Sequence, residues 1–235
     1  MMMAQNNIGL NELNSEIIAC RLCPRLVEWR ETVARVKRKA FKDCDYWGKP
    51  VPGFGDIDGR ILVIGLAPGA HGSNRTGRMF TGDASGNFLF HALFKAGFAN
   101  QAVATSIEDG LELNNVFISA TCRCAPPNNK PTSAEIYNCR PFLNREISLM
   151  KNLVGIVALG KIGFDSAVKL INMKFLMNEN TGKARKFGHG LLYMPEHVNY
   201  PWLLSSYHPS QQNTQTGRLT VEMFQAIWDT AKRLI

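Results

Sequence analysis

An apolar run that opens straight into a glycine-rich loop restricts this chain to few architectures. Ile61-Leu62-Val63-Ile64 reads as a buried strand. It leads into Gly65-Leu66-Ala67-Pro68-Gly69-Ala70-His71-Gly72, and then into Gly77-Arg78-Met79-Phe80-Thr81-Gly82-Asp83-Ala84-Ser85-Gly86. A backbone without Cβ atoms can approach a ligand closely, and open α/β sheets bind ligands at the carboxyl ends of their strands. The Gly-Lys-Ser/Thr ending of a phosphate loop is absent, and so is a GxGxxG turn leading directly into a helix. The loop is therefore suited to surround something flat or small, with Phe80 available to stack on it.

The rest of the chain repeats the alternation of strand and helix. Arg60 to Leu66, Asn115 to Ala120, Leu153 to Leu159 and Trp202 to Ser206 read as strands. Helices are expected over Gly86 to Ala96, over Ser133 to Lys151 with Thr132 or Ser133 as N-cap, over Ile162 to Ile171 and over Leu219 to Leu234. Asn11 to Leu26 and Val27 to Phe41 read as helical, interrupted near Cys20 to Pro24. Tyr46 to Gly59 is loop, and Met173 to Met194 has the composition of a hairpin. The expected fold class is α/β, with a central, mainly parallel four-stranded sheet and helices on both faces. One domain spans 1–235, with an N-terminal metal-ligand segment at about 11–45.

At 235 residues and 45% hydrophobic content the chain can bury a sizeable core. A formal charge of +8 points to a polyanionic partner. No apolar run is long enough for a transmembrane helix, and residues 1–10 carry no apolar signal segment. We expect an intracellular, nucleoid-associated monomer with no membrane partner, in a compartment where thiols stay reduced.

Six cysteines then matter as metal ligands rather than disulfides. Cys20-x2-Cys23 and the pair Cys124 and Cys139 form a candidate four-thiolate set, suited to zinc or to an iron–sulfur cluster. Cys44 and Cys122 are left over, and Cys122 can replace Cys124, because residues two apart at a strand end face the same side. The last strand opens into a second loop, Ser206-Tyr207-His208-Pro209-Ser210-Gln211-Gln212-Asn213-Thr214-Gln215-Thr216-Gly217-Arg218. It should lie at the same sheet edge as the glycine loop. His208 can donate a hydrogen bond to an oxygen that gains negative charge. Ser210 and Asn213 can bond phosphates.

The two loops together resemble the uracil-DNA glycosylase superfamily, which pairs a Gly-x-x-Pro-Gly-type loop with a His-Pro-Ser loop. The resemblance is greatest to the type-5 group of the iron–sulfur branch. It is carried by Tyr46 to Asp56, Gly65 to Gly86, Cys124-Ala125-Pro126-Pro127-Asn128-Asn129-Lys130-Pro131-Thr132, and His208 to Arg218. It implies a [4Fe–4S] cluster on Cys20, Cys23, Cys124 and Cys139, and flipping of a damaged base into a fitted pocket. Phe80 matches the ring that stacks on the flipped base, and Asn129 or its neighbour Asn128 matches a base-contacting asparagine. Gly65, Ala67, Gly69 and Ala70 supply loop backbone around the base. Better-known relatives place a polar or acidic residue directly after the first glycine, where this chain has Leu66. The nearest carboxylate is Asp83, which we expect to orient water or face a cationic sugar, or to cap the next helix.

The expected activity is hydrolysis of the N-glycosidic bond of uracil in DNA, extending to other deaminated bases such as hypoxanthine. Asp83, His208 and Asn129 are the expected catalytic residues. No lysine in these motifs is placed as a Schiff-base nucleophile, so no strand cleavage is expected. Arg30, Arg35, Lys37, Arg38 and Lys39, with Lys183, Arg185 and Lys186, are expected to contact DNA phosphates. A non-catalytic, metal-binding nucleic-acid protein or redox sensor would explain the thiolates and the charge, but not two paired loops at one sheet edge.

Overall fold

Strands that are buried at every position need a cover on both faces, and the chain supplies one. The computed structural model describes residues 2–174, 185–194 and 200–235. In chain order the elements are α1 (Met2–Ala19), α2 (Pro24–Val36), β1 (Phe54–Gly55), β2 (Ile61–Gly65), α3 (Ser73–Thr76), α4 (Ala84–Ala96) and β3 (Val116–Ala120). They continue with α5 (Ser133–Leu149), β4 (Gly155–Leu159), α6 (Lys161–Lys174), β5 (Leu192–Tyr193), β6 (Trp202–Ser206), α7 (Gln211–Gln215) and α8 (Val221–Arg233).

The sheet order is β1-β3-β2-β4-β6-β5. The four strands expected from sequence form its parallel centre. Two short antiparallel strands, β1 and β5, were not expected and extend that centre to six strands. Of Met173 to Met194, residues 173–174 and 185–194 are described, and their strand β5 pairs with β6 rather than within the segment; residues 175–184, including Lys183, lie outside the described residues.

Side chains alternate across the sheet. Ile61, Val63, Val116, Ile118, Val157 and Leu204 pack beneath α4 and α8. Leu62, Ile64, Phe117, Ile156, Ala158 and Leu203 face α5 and α6. The helix starts follow local chemistry. Thr132 and Glu135 make a reciprocal capping box on α5, and Thr220 caps α8. After β2 the chain turns to the α4 face, and after β4 it turns to the α6 face. That divergence opens a crevice at the carboxyl ends of β2 and β4, the place where such sheets bind ligands.

Candidate active site

The loop after β2 folds back on itself at Phe80, whose φ of 53° lies in the left-handed region. A bulky residue adopts that conformation only where the surroundings enforce it. Here it lays the ring over the end of β2, and a Cβ on Gly65 would come within 2.9 Å of Phe80 Cζ. Gly65 is therefore floor beneath the ring. Three residues on, Asp83 caps α4, accepting from the Gly86 N–H at 3.0 Å. Its other oxygen presses against Gly72, where a Cβ would overlap it. Burial raises the Asp83 pKa, while the Gly86 and Ser85 N–H groups and the Arg75 charge oppose that rise. The cap and the water-holding role were both open from sequence. The structure makes Asp83 a cap that also lines the cleft.

The loop after β3 contributes Asn128 and Asn129, at φ 53° and 55°. Consecutive left-handed residues cost free energy unless a ligand site or local bonding holds them, and asparagine tolerates them best. The loop after β6 contributes His208. Asn213 Nδ2 donates to the His208 carbonyl at 2.8 Å, and the Tyr207 N–H donates to His189 Nδ1 at 3.3 Å. His189 Nε2, which must then carry the hydrogen, lies 3.3 Å from the Met223 carbonyl. The loop is thereby tied to α8. The His208 and Phe80 rings stand nearly parallel, with centroids 5.8 Å apart.

These three loops enclose a cleft of about 400 Å³, within the range of small-ligand sites. Ala67, Gly69, Phe80, Asp83, Asn128, Asn129, His208 and Ser210 all line it. Gly65 lies beneath the Phe80 ring, and Asn213 braces His208 from behind. Ala70 accepts from Asn74 Nδ2 at 3.4 Å rather than lining the cleft. Leu66, Ser73, Met79, Ser85, Ala120 and Gln212 complete the wall. Apart from Leu66, sequence reasoning missed these; each but Ala120 sits within the two quoted loops. Gly160, at the end of β4, packs against His208 with room for a Cβ only 3.3 Å from the His208 Cβ.

Burial lowers the His208 pKa to about 4. Its imidazole is therefore neutral from pH 5.5 to 8 and presents an N–H donor throughout. We expect no inflection from His208 in the single-turnover rate over that range. The stability consequence has a definite sign. The unfolded chain takes up the proton near pH 6.5 and the folded chain only near 4, so stability falls as pH drops through that window. The loss is roughly 2 kcal/mol between pH 7 and 5, less where the ring meets cleft water. Urea denaturation at the two pH values checks it, because His208→Gln should remove this part of the pH dependence.

The thiols gather on the opposite flank of the glycine loop. Cys20 and Cys23 lie between α1 and α2, Cys124 follows β3, and Cys139 is on α5. Each has donors or thiols around it. Arg30 Nη1 donates to Cys124 Sγ at 2.8 Å, and Asn138 Nδ2 lies 3.6 Å from Cys23 Sγ. The Cys122 S–H bonded to it draws the Cys139 thiol down, with help from the Arg123 N–H and charge against the cost of burial. Burial pushes Cys124 up to about 12, with Arg30 pulling against it. Cys122 is pushed up as the neutral donor to Cys139.

One expectation is corrected here. Arg30 is only 2% exposed and cannot meet a phosphate. Arg35, Arg38, Lys39 and Lys186 are exposed. Arg38 lies near the glycine loop, since its charge, after burial, lowers the pKa of His71. No helix among the described residues is long and apolar enough to cross a membrane.

The same loops are matched in known proteins. The profile of the uracil DNA glycosylase superfamily matches residues 52–232. A type-5 uracil-DNA glycosylase of Mycobacterium tuberculosis is 51% identical over 95% of this chain and 81% of its own length. One from Thermus thermophilus is 48% identical over 93% of this chain and 94% of its own length. A type-4 uracil-DNA glycosylase of Saccharolobus solfataricus is 32% identical over 77% of this chain and 75% of its own length. With both loops, the cleft they form and this extent of likeness, the chain belongs to the uracil DNA glycosylase superfamily, in its type-5 group.

Proposed function

We propose that this chain is a monofunctional uracil-DNA glycosylase of base excision repair, cutting the bond between uracil and deoxyribose with water. The observation that carries the reading is the cleft in which a neutral histidine, an aromatic ring and a half-buried carboxylate converge on one sheet edge. Breaking the C1′–N1 bond leaves its electron pair on the base and positive charge on the sugar. His208 donates to an oxygen of the departing base, where a preorganised donor is strongest in a dry pocket. Phe80 supplies the stacking face, and Asn128 and Asn129 supply amides for the base edge. The Asp83 carboxylate faces the cationic sugar and orients the attacking water, whose oxygen joins C1′. Its proton passes to solvent or to the base. No lysine lines the cleft among the described residues, which supports a reaction that stops at the abasic site.

Leu66 is apolar where a polar group would position water, so the chemistry leans less on that position and admits a wide range of bases. The test therefore incubates the protein with oligonucleotides carrying one uracil or one hypoxanthine, followed by alkali. Alkali-dependent breaks at uracil support the reading, and intact uracil strands overturn it. Breaks at hypoxanthine extend the substrate range to deaminated purines.

We further propose that Cys20, Cys23, Cys124 and Cys139 hold a [4Fe–4S] cluster. The donor set fits such a group: the thiols are partly or fully buried, and N–H groups aim at their sulfurs. When bound, the cluster would tie α1, α2, the loop after β3 and α5 together, a structural role.

DNA is the proposed partner, bound in part by the exposed cations at the end of α2 and just after it. Removing one phosphate-binding cation should reduce the slope of log K against log salt by about 1. Replacing Arg35, Arg38 and Lys39 by Gln is expected to flatten that slope equally for uracil-containing and ordinary duplexes. Fluorescence anisotropy at several salt concentrations measures both. Weakening confined to uracil-containing DNA would mean that these residues read the base.

A further inference from the structure

Arg30 is a buried cation without a carboxylate of its own. A guanidinium stays protonated in any protein environment, and burying one is costly unless a counter-charge lies close. The nearest carboxylate oxygen, Glu31 Oε1, is 3.7 Å from Arg30 Nη2. Glu31 is exposed, however, and Arg21 already holds both its oxygens, at 2.5 and 3.2 Å. Arg30 Nε has no partner among the described groups. The other buried arginine of this region, Arg123, is committed to Glu146 at 2.5 Å. What Arg30 does touch is the thiol set. Its Nη1 is 2.8 Å from Cys124 Sγ, and both terminal nitrogens are 3.4 Å from the Cys20 carbonyl. It thus contacts two of the four cysteines, from segments far apart in the sequence.

We infer that Arg30 is the fixed counter-charge of the bound cluster, and that its N–H···S bond to Cys124 raises the cluster's reduction potential. The inference rests on the cluster reading above. Hydrogen bonds to sulfur and the local net charge set iron–sulfur potentials. An added electron places more negative charge on the sulfurs, so a neighbouring cation favours the reduced form. The main chain of the same residue reaches the other side: the Arg30 carbonyl accepts from Asn74 Nδ2 at 3.2 Å, and the Asn74 N–H donates to the Gly69 carbonyl at 3.0 Å. Arg30 therefore positions the cluster against the cleft loop without meeting substrate.

The test compares purified parent protein with Arg30→Met, Arg30→Lys and, as a control at an exposed ion pair, Arg145→Met. Iron and sulfide contents come first: a parent without iron overturns the cluster reading itself, before any variant is made. Midpoint potentials are then read from bleaching of the visible absorption during dithionite titration with mediators. Stability of the site is read from iron release to a chelator. Arg30→Met should show a more negative potential and release iron on the order of tenfold faster. Arg30→Lys should fall between it and the parent, and Arg145→Met should match the parent. Full iron at the parent potential and release rate in Arg30→Met overturns the inference. If Arg30→Met retains no iron, Arg30→Lys decides: a lowered potential supports the inference, and parental values overturn it. Loss of iron from both supports it where circular dichroism shows folded chains, and unfolded chains in both overturn it.

Discussion

His208→Ala is expected to lose on the order of 100- to 1000-fold in single-turnover uracil release, while keeping its fold, its colour and most of its affinity for DNA. The size follows from where the charge goes. The departing base becomes an anion, and His208 is a neutral donor held in place by Asn213 and, through Tyr207, by His189. Among the described residues no protein group is hydrogen-bonded to the His208 ring, so its donor is free for a ligand. Asp83→Asn provides the contrast. Asparagine is as good an N-cap as aspartate, so α4 should keep its start while the carboxylate is removed. A slower rate with unchanged melting assigns the carboxylate to chemistry. Parental rates in both variants would remove the reaction from these two loops. If only His208 matters, Asp83 is a cap and backbone groups hold the water.

Replacing any one of Cys20, Cys23, Cys124 or Cys139 by Ala should abolish the brown colour and the bound iron, and lower stability by several kcal/mol. Metal-site free energy is folding free energy where the ligands come from separate segments. Here they come from the α1–α2 turn, the loop after β3 and α5, segments that Arg25 also joins through Glu135 and the Lys130 carbonyl. Cys44→Ala should change neither colour nor stability. Cys122→Ala is the discriminating variant. As neutral donor to Cys139, it should retain iron and bind it less tightly. Visible spectra, iron assay and thermal melting read all three outcomes. Iron absent from Cys122→Ala and kept by Cys124→Ala would exchange the two residues in the ligand set.

The parallel centre of the sheet was legible because its strands are rich in apolar residues and their helices carry clear caps. Thr132 with Glu135, and Asp83 ahead of Ala84, announce α5 and α4 by side-chain chemistry alone. The edge strands were not legible. β1 is two residues long and ends at Gly55, and β5 lies in a segment without alternation. Asn128 and Asn129 were both candidates, and their paired left-handed conformations bring both to the cleft, so the choice between them was never one of geometry. Arg30 passes for a surface cation when charge is counted along the sequence and not around the helix. Leu26, Arg30 and Val33 are spaced i, i+4 and i+7, on the apolar stripe of α2. That spacing, in a helix following a CxxC, was the available signal for a buried cation. The wall residue Ala120 had none, because a small residue outside the two loops acquires a role only from what folds over it.

The position of β6 in the sheet has a consequence for synthesis. β6 is made after all the other central strands, yet it inserts between β4 and β5. Until residue 206 leaves the ribosome, the nascent chain presents the Gly155–Leu159 edge, five apolar residues with no charge to deter pairing. The same unfinished chain lacks His208, while its glycine loop and all six cysteines are already in place. A chain stopped before residue 206 is therefore expected to aggregate, and without His208 it lacks the donor proposed for base excision.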